Sequence, residues 1–395
     1  MKVLIFGHRL EVGGTQVNAI ELSAYLRDAC GHQVTYFASA GPMQDLLDNA
    51  GITFRPIPDT RSHPSVARMR VIDEIIRLER PDVVHVWDWP QWLDAFLGIQ
   101  LYRKVPVVVT CMSMVVPSLL PKRALTTFGT PDLVSQARAA GFRRAELIVP
   151  PVDVKFNAPD VIDPTAFRKQ FGIAEQDVLV VTVSRLTDWM KSESIRRTMD
   201  AVRALGSDTR LRFAIVGDGT ARNDLEEYAR GVNAELGRDA ILFSGALLDP
   251  RPGYAAADIV VGMGGSAMRG MAFSKPVIVV GEHGFSDLFA PETEEFFTFN
   301  GMYGLGDGNP SNDHLIAALK RLLDSSQDRR SLGDFARQYV ERHYSIDTIG
   351  QRLNELLETA ATSPVRFRHA VHDAVRTASL AVAGRLTRRH RSQQH

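Results

Sequence analysis

Short apolar runs rich in Val and Ile alternate along this chain with longer amphipathic stretches, and that alternation constrains the fold more than any other feature. A brief continuous apolar run suits a strand buried on both faces, and an amphipathic stretch after it suits a crossover helix, so the pattern predicts parallel βα units. In the first half the strands are expected at residues 3–6, 34–37, 53–56, 83–87, 105–110 and 147–149. The second half restarts the rhythm at 178–183, 213–216, 241–243, 259–261 and 277–280. Between the halves Pro150, Pro151, Pro159 and Pro164 exclude a continuous helix or a central strand and mark a boundary. A chain of 395 residues also exceeds what one hydrophobic core commonly serves. From about 314 to 361 the pattern is almost wholly helical.

Forty-six basic residues balance 46 acidic ones, so the molecule lacks the field of a general nucleic-acid binder. Cys30 and Cys111 are the only cysteines; they have no metal-ligand spacing and fit a reducing compartment. The first strand turns at Gly7, too soon for a signal-peptide core, and no apolar run reaches the ~20 residues of a membrane span. A cytoplasmic protein is expected, with no metal.

After the first strand comes Gly7-His8-Arg9-Leu10-Glu11-Val12-Gly13-Gly14-Thr15-Gln16 and then an amphipathic helix. Gly13 and Gly14 stand where a helix N-terminus turns free N–H groups outward, which suits a phosphate; an ordinary βα turn with Thr15 near the cap is the alternative. The spacing departs from Gly-x-Gly-x-x-Gly, and Phe37-Ala38-Ser39 ends the second strand without the acid that holds an NAD ribose. A nucleotide-dependent oxidoreductase is a rival that this weakens.

In the second half, Val181-Thr182-Val183-Ser184-Arg185-Leu186-Thr187-Asp188-Trp189-Met190-Lys191 places two cations just past a parallel strand, the edge where open α/β sheets bind ligands. Arg185 suits bidentate donation to a diphosphate and Lys191 adds a point charge; a solvated surface pair is the alternative. Next come Phe213-Ala214-Ile215-Val216-Gly217-Asp218-Gly219, Leu242-Phe243-Ser244-Gly245-Ala246-Leu247 and Tyr254-Ala255-Ala256-Ala257-Asp258.

This ordered series, with Gly13-Gly14-Thr15-Gln16, Pro81-Asp82-Val83-Val84-His85-Val86-Trp87 and Lys275-Pro276-Val277-Ile278, resembles family 4 of the retaining glycosyltransferases. The resemblance implies a GT-B fold. Its acceptor domain would span 1–152 and its nucleotide-sugar domain 153–344, and a helix at 345–362 would cross back to the first domain. It further implies transfer of a sugar from a nucleoside diphosphate sugar to a hydroxyl acceptor with retention, no cofactor beyond that co-substrate, and Arg185 and Lys191 on the donor diphosphate. Donor contacts are expected from Gly13, Gly14, Gly217, Ala246, Leu247, Gly264, Gly265, Ser266 and Arg269. That family carries two glutamates separated by seven intervening residues near the helix entering Met271-Ala272; here Arg269 stands at the second place and Val261, eight positions earlier, at the first. An arginine cannot accept a ribose hydroxyl proton. A catalytically silent sugar-nucleotide-binding protein is therefore the first rival.

His85, Trp87, Asp88 and Trp89 end a strand on the ligand edge, where aromatic faces beside a carboxylate suit a sugar or a flat acceptor; packing between sheet and helix is the alternative. Glu282, past the strand at 277–280, is a further catalytic candidate or a solvated loop residue. The tail 363–395 carries Arg366, Arg368, Arg376, Arg385, Arg388, Arg389 and Arg391 against one acid, Asp373. Phe367, Val371, Ala374, Ala378 and Val382 recur at three- and four-residue spacing, a basic amphipathic helix suited to an anionic membrane surface, with a disordered soluble extension as the alternative. The acceptor class left open is a glycan, a glycolipid or a small metabolite.

Overall fold

The structure is a computed structural model. It describes the chain apart from residues 12, 61, 62, 101, 102, 189, 310, 364–370, 378 and 381–395 and the side chains of Trp89 and Pro90. The chain forms two compact units, Met1–Pro151 with Ile346–His395, and Val152–Ser345.

In the first unit β1 (Lys2–Phe6), β2 (Gln33–Ala38), β3 (Thr53–Pro56), β4 (Val83–Trp87), β5 (Val107–Cys111), β6 (Leu125–Phe128) and β7 (Ala145–Leu147) form one parallel sheet. The spatial order is β3-β2-β1-β4-β5-β6-β7, so the chain reverses its direction of travel between β1 and β4. β4 and β5 are buried at every position, as continuous Val runs require. The sequence pattern misses β6, whose centre is Thr126-Thr127 rather than an apolar run. Both threonines are buried, and Thr127 Oγ1 donates to Thr110 Oγ1 at 2.9 Å, which removes the penalty for burying that hydroxyl. β7 ends where the expected strand at 147–149 begins.

The helix Ile346–Thr362 belongs to this unit and packs on the helix Gly14–Asp28. Gly350 permits the approach, since a Cβ there would lie 2.3 Å from the Tyr25 ring. Asn354 Oδ1 stands 2.6 Å from His32 Nε2, and Arg352 pairs with Glu146 at 3.0 Å. Residues 371–377 are helical and docked. Asp373, the one acid of the tail, accepts the Arg123 N–H at 3.1 Å, Arg376 donates to the carbonyls of Leu120 and Ser118, and Thr377 donates to that of Leu119. For this stretch a disordered extension is corrected, and so is the single apolar stripe. Ala374 faces the core while Val371 and Val375 are exposed. The remainder of the tail's arginines, with Phe367, Ala378 and Val382, lies outside the described residues.

In the second unit β8 (Val178–Val183), β9 (Leu211–Val216), β10 (Ile241–Gly245), β11 (Ile259–Gly262) and β12 (Val277–Val280) are parallel. β13 (Ser286–Leu288), too short and polar to read from the sequence, pairs antiparallel with β12 at the edge. The order β10-β9-β8-β11-β12-β13 reverses between β8 and β11. Each sheet therefore has a switch point where the loops after two central strands diverge and leave a crevice.

Candidate functional site

In the second unit the loop after β8 is fixed by backbone bonds to the loop after β9. Ser184 N–H donates to Val216 O at 3.0 Å and Leu186 N–H to Asp218 O at 2.9 Å. Gly217 and Gly219 make this approach possible: with φ of 149° and 155°, a Cβ on either would fall 1.8 Å from Ser184 O or 2.2 Å from Leu186 O. The structure thus gives Gly217 a packing duty, holding the two loops together.

Arg185 is exposed on that loop, and Lys191 stands half-buried at its end, directly before the helix Ser192–Ala204. Burial, with Arg185 nearby, lowers the Lys191 ammonium from 10.5 to about 8, and Glu282 acts in the opposite sense. Arg185 and Glu282 are therefore each brought within electrostatic reach of Lys191, although Glu282 lies some 90 residues downstream. Its carboxylate accepts the Tyr303 hydroxyl at 2.5 Å, which together with burial raises the Tyr303 phenol. Glu193, in the first turn of the same helix, accepts the His283 and Gly284 N–H groups at 3.2 and 2.7 Å and ties the Glu282 loop to the Lys191 helix. Glu282 is therefore a held residue, and Glu193 and Tyr303 are parts of the cluster that local sequence pattern does not reveal.

Across the switch point, β11 runs into Gly262-Met263-Gly264 and the helix Gly265–Ala272. Gly264 has φ 53° and ψ −130°, a conformation that favours glycine, and its N–H donates to Met302 O at 2.6 Å. Ser266 Oγ is engaged with the Met263 backbone at 3.0 and 3.3 Å, so its hydroxyl closes the turn. Arg269 Nη1 lies 3.5 Å from the Gly265 carbonyl. Gly265, Ser266 and Arg269 thus occupy one helix entrance. Ala246 and Leu247 lie at the far end of the sheet, past β10, where Ala246 and Leu248 are exposed.

In the first unit Gly13 caps the helix Gly14–Asp28 with φ −171°, ordinary extended backbone, and a Cβ on Gly14 would meet open space. Steric need for glycine lies instead at Gly7, where a Cβ would fall 1.9 Å from the buried Tyr36 hydroxyl. Two of the expected acceptor residues are in the core. His85 is 1% exposed, bonds Thr110 Oγ1 through Nε2 at 2.7 Å, and is driven by burial to about 3, so it is a neutral core histidine. Trp87 is fully buried beside it, with ring centroids 5.1 Å apart. In a strand buried on both faces neither can offer a surface to a ligand, and this corrects their assignment. The Trp89 side chain lies outside the described residues.

Asp88 is the member of that group placed at the switch point, in the left-handed region with φ 68°. Its Oδ2 stands 3.4 Å from His8 Nε2, and its Oδ1 accepts the Cys111 thiol at 3.5 Å. Burial and then the Asp88 charge raise that thiol. Gln91 Nε2 completes the cluster 3.2 Å from His8 Nδ1. His8, in the turn after β1, and Gln91, in the helix Trp89–Ala95, are 83 residues apart, which hides the pairing from a local reading.

Residues 12–149 match Glycosyltransferase Family 4, and residues 177–325 match Glycosyl transferases group 1. A GDP-mannose-dependent monoacylated alpha-(1-6)-phosphatidylinositol monomannoside mannosyltransferase of Corynebacterium glutamicum is 28% identical over 224 residues, 53% of this chain and 54% of that protein. The chain thus spans about half the length of that curated relative. Among solved structures, a glycosyltransferase from Rickettsia africae ESF-5 has a TM-score of 0.75 at 17% identity, covering 92% of this chain and 99% of that one. Anabaena Alr3699/HepE in complex with UDP has a TM-score of 0.71 at 17% identity, covering 91% and 100%. At such identities the structural likeness concerns the fold.

Proposed function

We infer the activity from one premise: the chain belongs to the family 4 glycosyltransferases, with the GT-B fold. It transfers a glycosyl unit from a nucleoside diphosphate sugar to a hydroxyl acceptor, with retention at the anomeric carbon. The second unit takes the donor and the first unit the acceptor. The observation that carries this is the convergence of Arg185, Lys191 and Glu282 at the C-terminal end of β8, beside the switch point. Arg185 and Lys191 face the charge that builds on the departing diphosphate, and fixed cations in a partly dry site lower the barrier most where that charge grows. Glu282, braced by Tyr303, bonds donor hydroxyls in place of the acids missing at Val261 and Arg269. The proposal calls on no metal and no other cofactor.

A lipid-linked acceptor is favoured by the relative whose name includes a phosphatidylinositol mannoside and by the arginine-rich tail. No helix among the described residues is long and apolar enough to cross a membrane, so contact with lipid on this reading is peripheral, through 363–395. Melting curves with UDP- and GDP-sugars test donor binding: a hundredfold excess over Kd should stabilise the fold by ~2.7 kcal/mol. Release of nucleoside diphosphate tests turnover, and NMR of the product's anomeric centre tests retention. No shift with any nucleotide sugar rejects the proposal. Binding without turnover supports instead a silent binding protein, the reading favoured by Arg269.

A further inference from the structure

The connection from β5 to β6, residues 112–124, returns from the ligand edge of the first sheet to the opposite edge without forming a helix. The docked segment 371–377 covers it. Ala374 and Val116 pack against the core that holds Leu120. Four bonds fix the segment in place: Asp373 accepts the Arg123 N–H at 3.1 Å, Arg376 donates to the Leu120 and Ser118 carbonyls at 2.9 and 2.6 Å, and Thr377 donates to the Leu119 carbonyl at 3.0 Å. Asp373 and Thr377, one helical turn apart, are 3% and 8% exposed and mark the inward face. Val371 and Val375, also one turn apart, are 39% and 62% exposed and mark the outward one. A buried carboxylate adds little net stability. It meets its N–H in this rotation of the helix, and so it fixes the valines outward.

Around that ridge the unit is basic. Lys122 and Arg123 end the connection, and Arg143 and Arg144 stand just before β7; the Arg143 N–H donates to the Lys122 carbonyl at 2.7 Å and joins the two segments. Arg376 adds a fifth cation. Among the described residues none of these five is ion-paired with an acid, whereas Arg103 and Arg352 of the same unit pair with Asp73 and Glu146. These segments lead into β6 and β7, so they lie at the N-terminal edge of the sheet, away from the crevice. An apolar ridge among unpaired cations complements an anionic bilayer, whose headgroups meet the cations while its acyl boundary takes the valines. A soluble polyanion offers the valines nothing. We propose that the face made by segment 371–377 with Lys122, Arg123, Arg143 and Arg144 docks the chain on an anionic lipid surface; this rests on the peripheral contact through 363–395 and deepens it. The body of the first unit then shares in the contact, and the ligand edge stays uncovered.

The test is co-sedimentation of the full chain with vesicles of phosphatidylglycerol and phosphatidylcholine in equal parts, against vesicles of phosphatidylcholine alone. Each basic residue near such a surface is worth roughly fivefold in partitioning, so Arg143→Gln with Arg144→Gln should weaken binding roughly 25-fold at low salt. Val371→Ser with Val375→Ser should weaken it roughly tenfold. Neither pair should shift the melting temperature, because all four side chains are exposed. The Val375→Trp chain should blue-shift its emission on anionic vesicles beyond any change in wild type. Wild-type affinity in either double variant, or no added blue shift from vesicle-bound Val375→Trp, overturns the proposal and leaves the tail a simple tether, with the peripheral reading intact. Binding to the neutral vesicles as tight as to the anionic ones overturns it too. If the full chain binds neither, the peripheral reading fails first and this proposal falls with it.

Discussion

If Lys191 binds the diphosphate as proposed, raising the pH from about 7 to about 9 should weaken the hold on a nucleoside diphosphate sugar, because the Lys191 charge is lost in that window. The folded-state value, about 8, lies below the ordinary 10.5 because the ammonium is partly buried beside Arg185. With that midpoint about nine-tenths of molecules carry the charge at pH ~7 and about one-tenth at pH ~9, so affinity falls by up to about tenfold, or ~1.4 kcal/mol. A bound diphosphate draws the value upward, so tenfold is the ceiling and binding takes up a proton. The effect on the fold has the opposite sign. A cation whose folded value is depressed binds fewer protons folded than unfolded, so this group adds stability as pH climbs from about 8 towards 10.5. Loss of affinity over this range is therefore not unfolding at this site. Titration calorimetry with whichever of UDP-glucose or GDP-mannose binds would measure the decline, with Lys191→Arg as the control that stays charged throughout. Wild-type affinity that stays flat, or a Lys191→Arg affinity that falls equally steeply, would refute the reasoning.

Arg185→Ala should weaken donor binding by roughly 10- to 100-fold, the worth of a charge-assisted bond, with the melting temperature nearly unchanged because the side chain is exposed. Kinetics equal to wild type would remove Arg185 from the site. Gly217→Ala should destabilise the second unit by about 3 kcal/mol, through overpacking against Ser184 O and a positive φ, read as an earlier denaturant midpoint. Replacing Arg385, Arg388, Arg389 and Arg391 by glutamine should release the chain from anionic vesicles, since each basic residue near such a surface is worth about 1 kcal/mol. Sedimentation identical to wild type would reject the membrane reading. Added EDTA should leave donor turnover intact, and a loss reversed by a divalent cation would contradict the metal-free mechanism.

The α/β class and the repeat of the βα rhythm on either side of the proline cluster were legible because continuous Val and Ile runs have few other uses in a globular chain. Arg185 and Lys191 were legible for a related reason. They follow a strand of obvious pattern, and in a parallel sheet the residues just past a strand reach the ligand edge wherever the strand sits. β6 and β13 escaped because their sequences do not alternate or cluster apolar residues as strands usually do; neighbouring hydroxyls and an exposed sheet edge make those sequences acceptable only once the sheet exists.

What the tertiary structure alone decided is which side of each strand end is inside. His85, Trp87 and Asp88 are consecutive but for Val86, and the sequence offers all three to a ligand equally. The sheet buries the first two side by side on one of its faces and sets the third past the strand end through a left-handed backbone step at the switch point. It likewise decided that Glu282 comes within electrostatic reach of Lys191, that Asp94 holds His63, and that Asp373 docks the tail. Each of these pairs joins residues tens to hundreds of positions apart, and a one-dimensional pattern records only neighbours at helix or strand spacing. Periodicity determined the elements, and the order in which the sheets stack them determined the site.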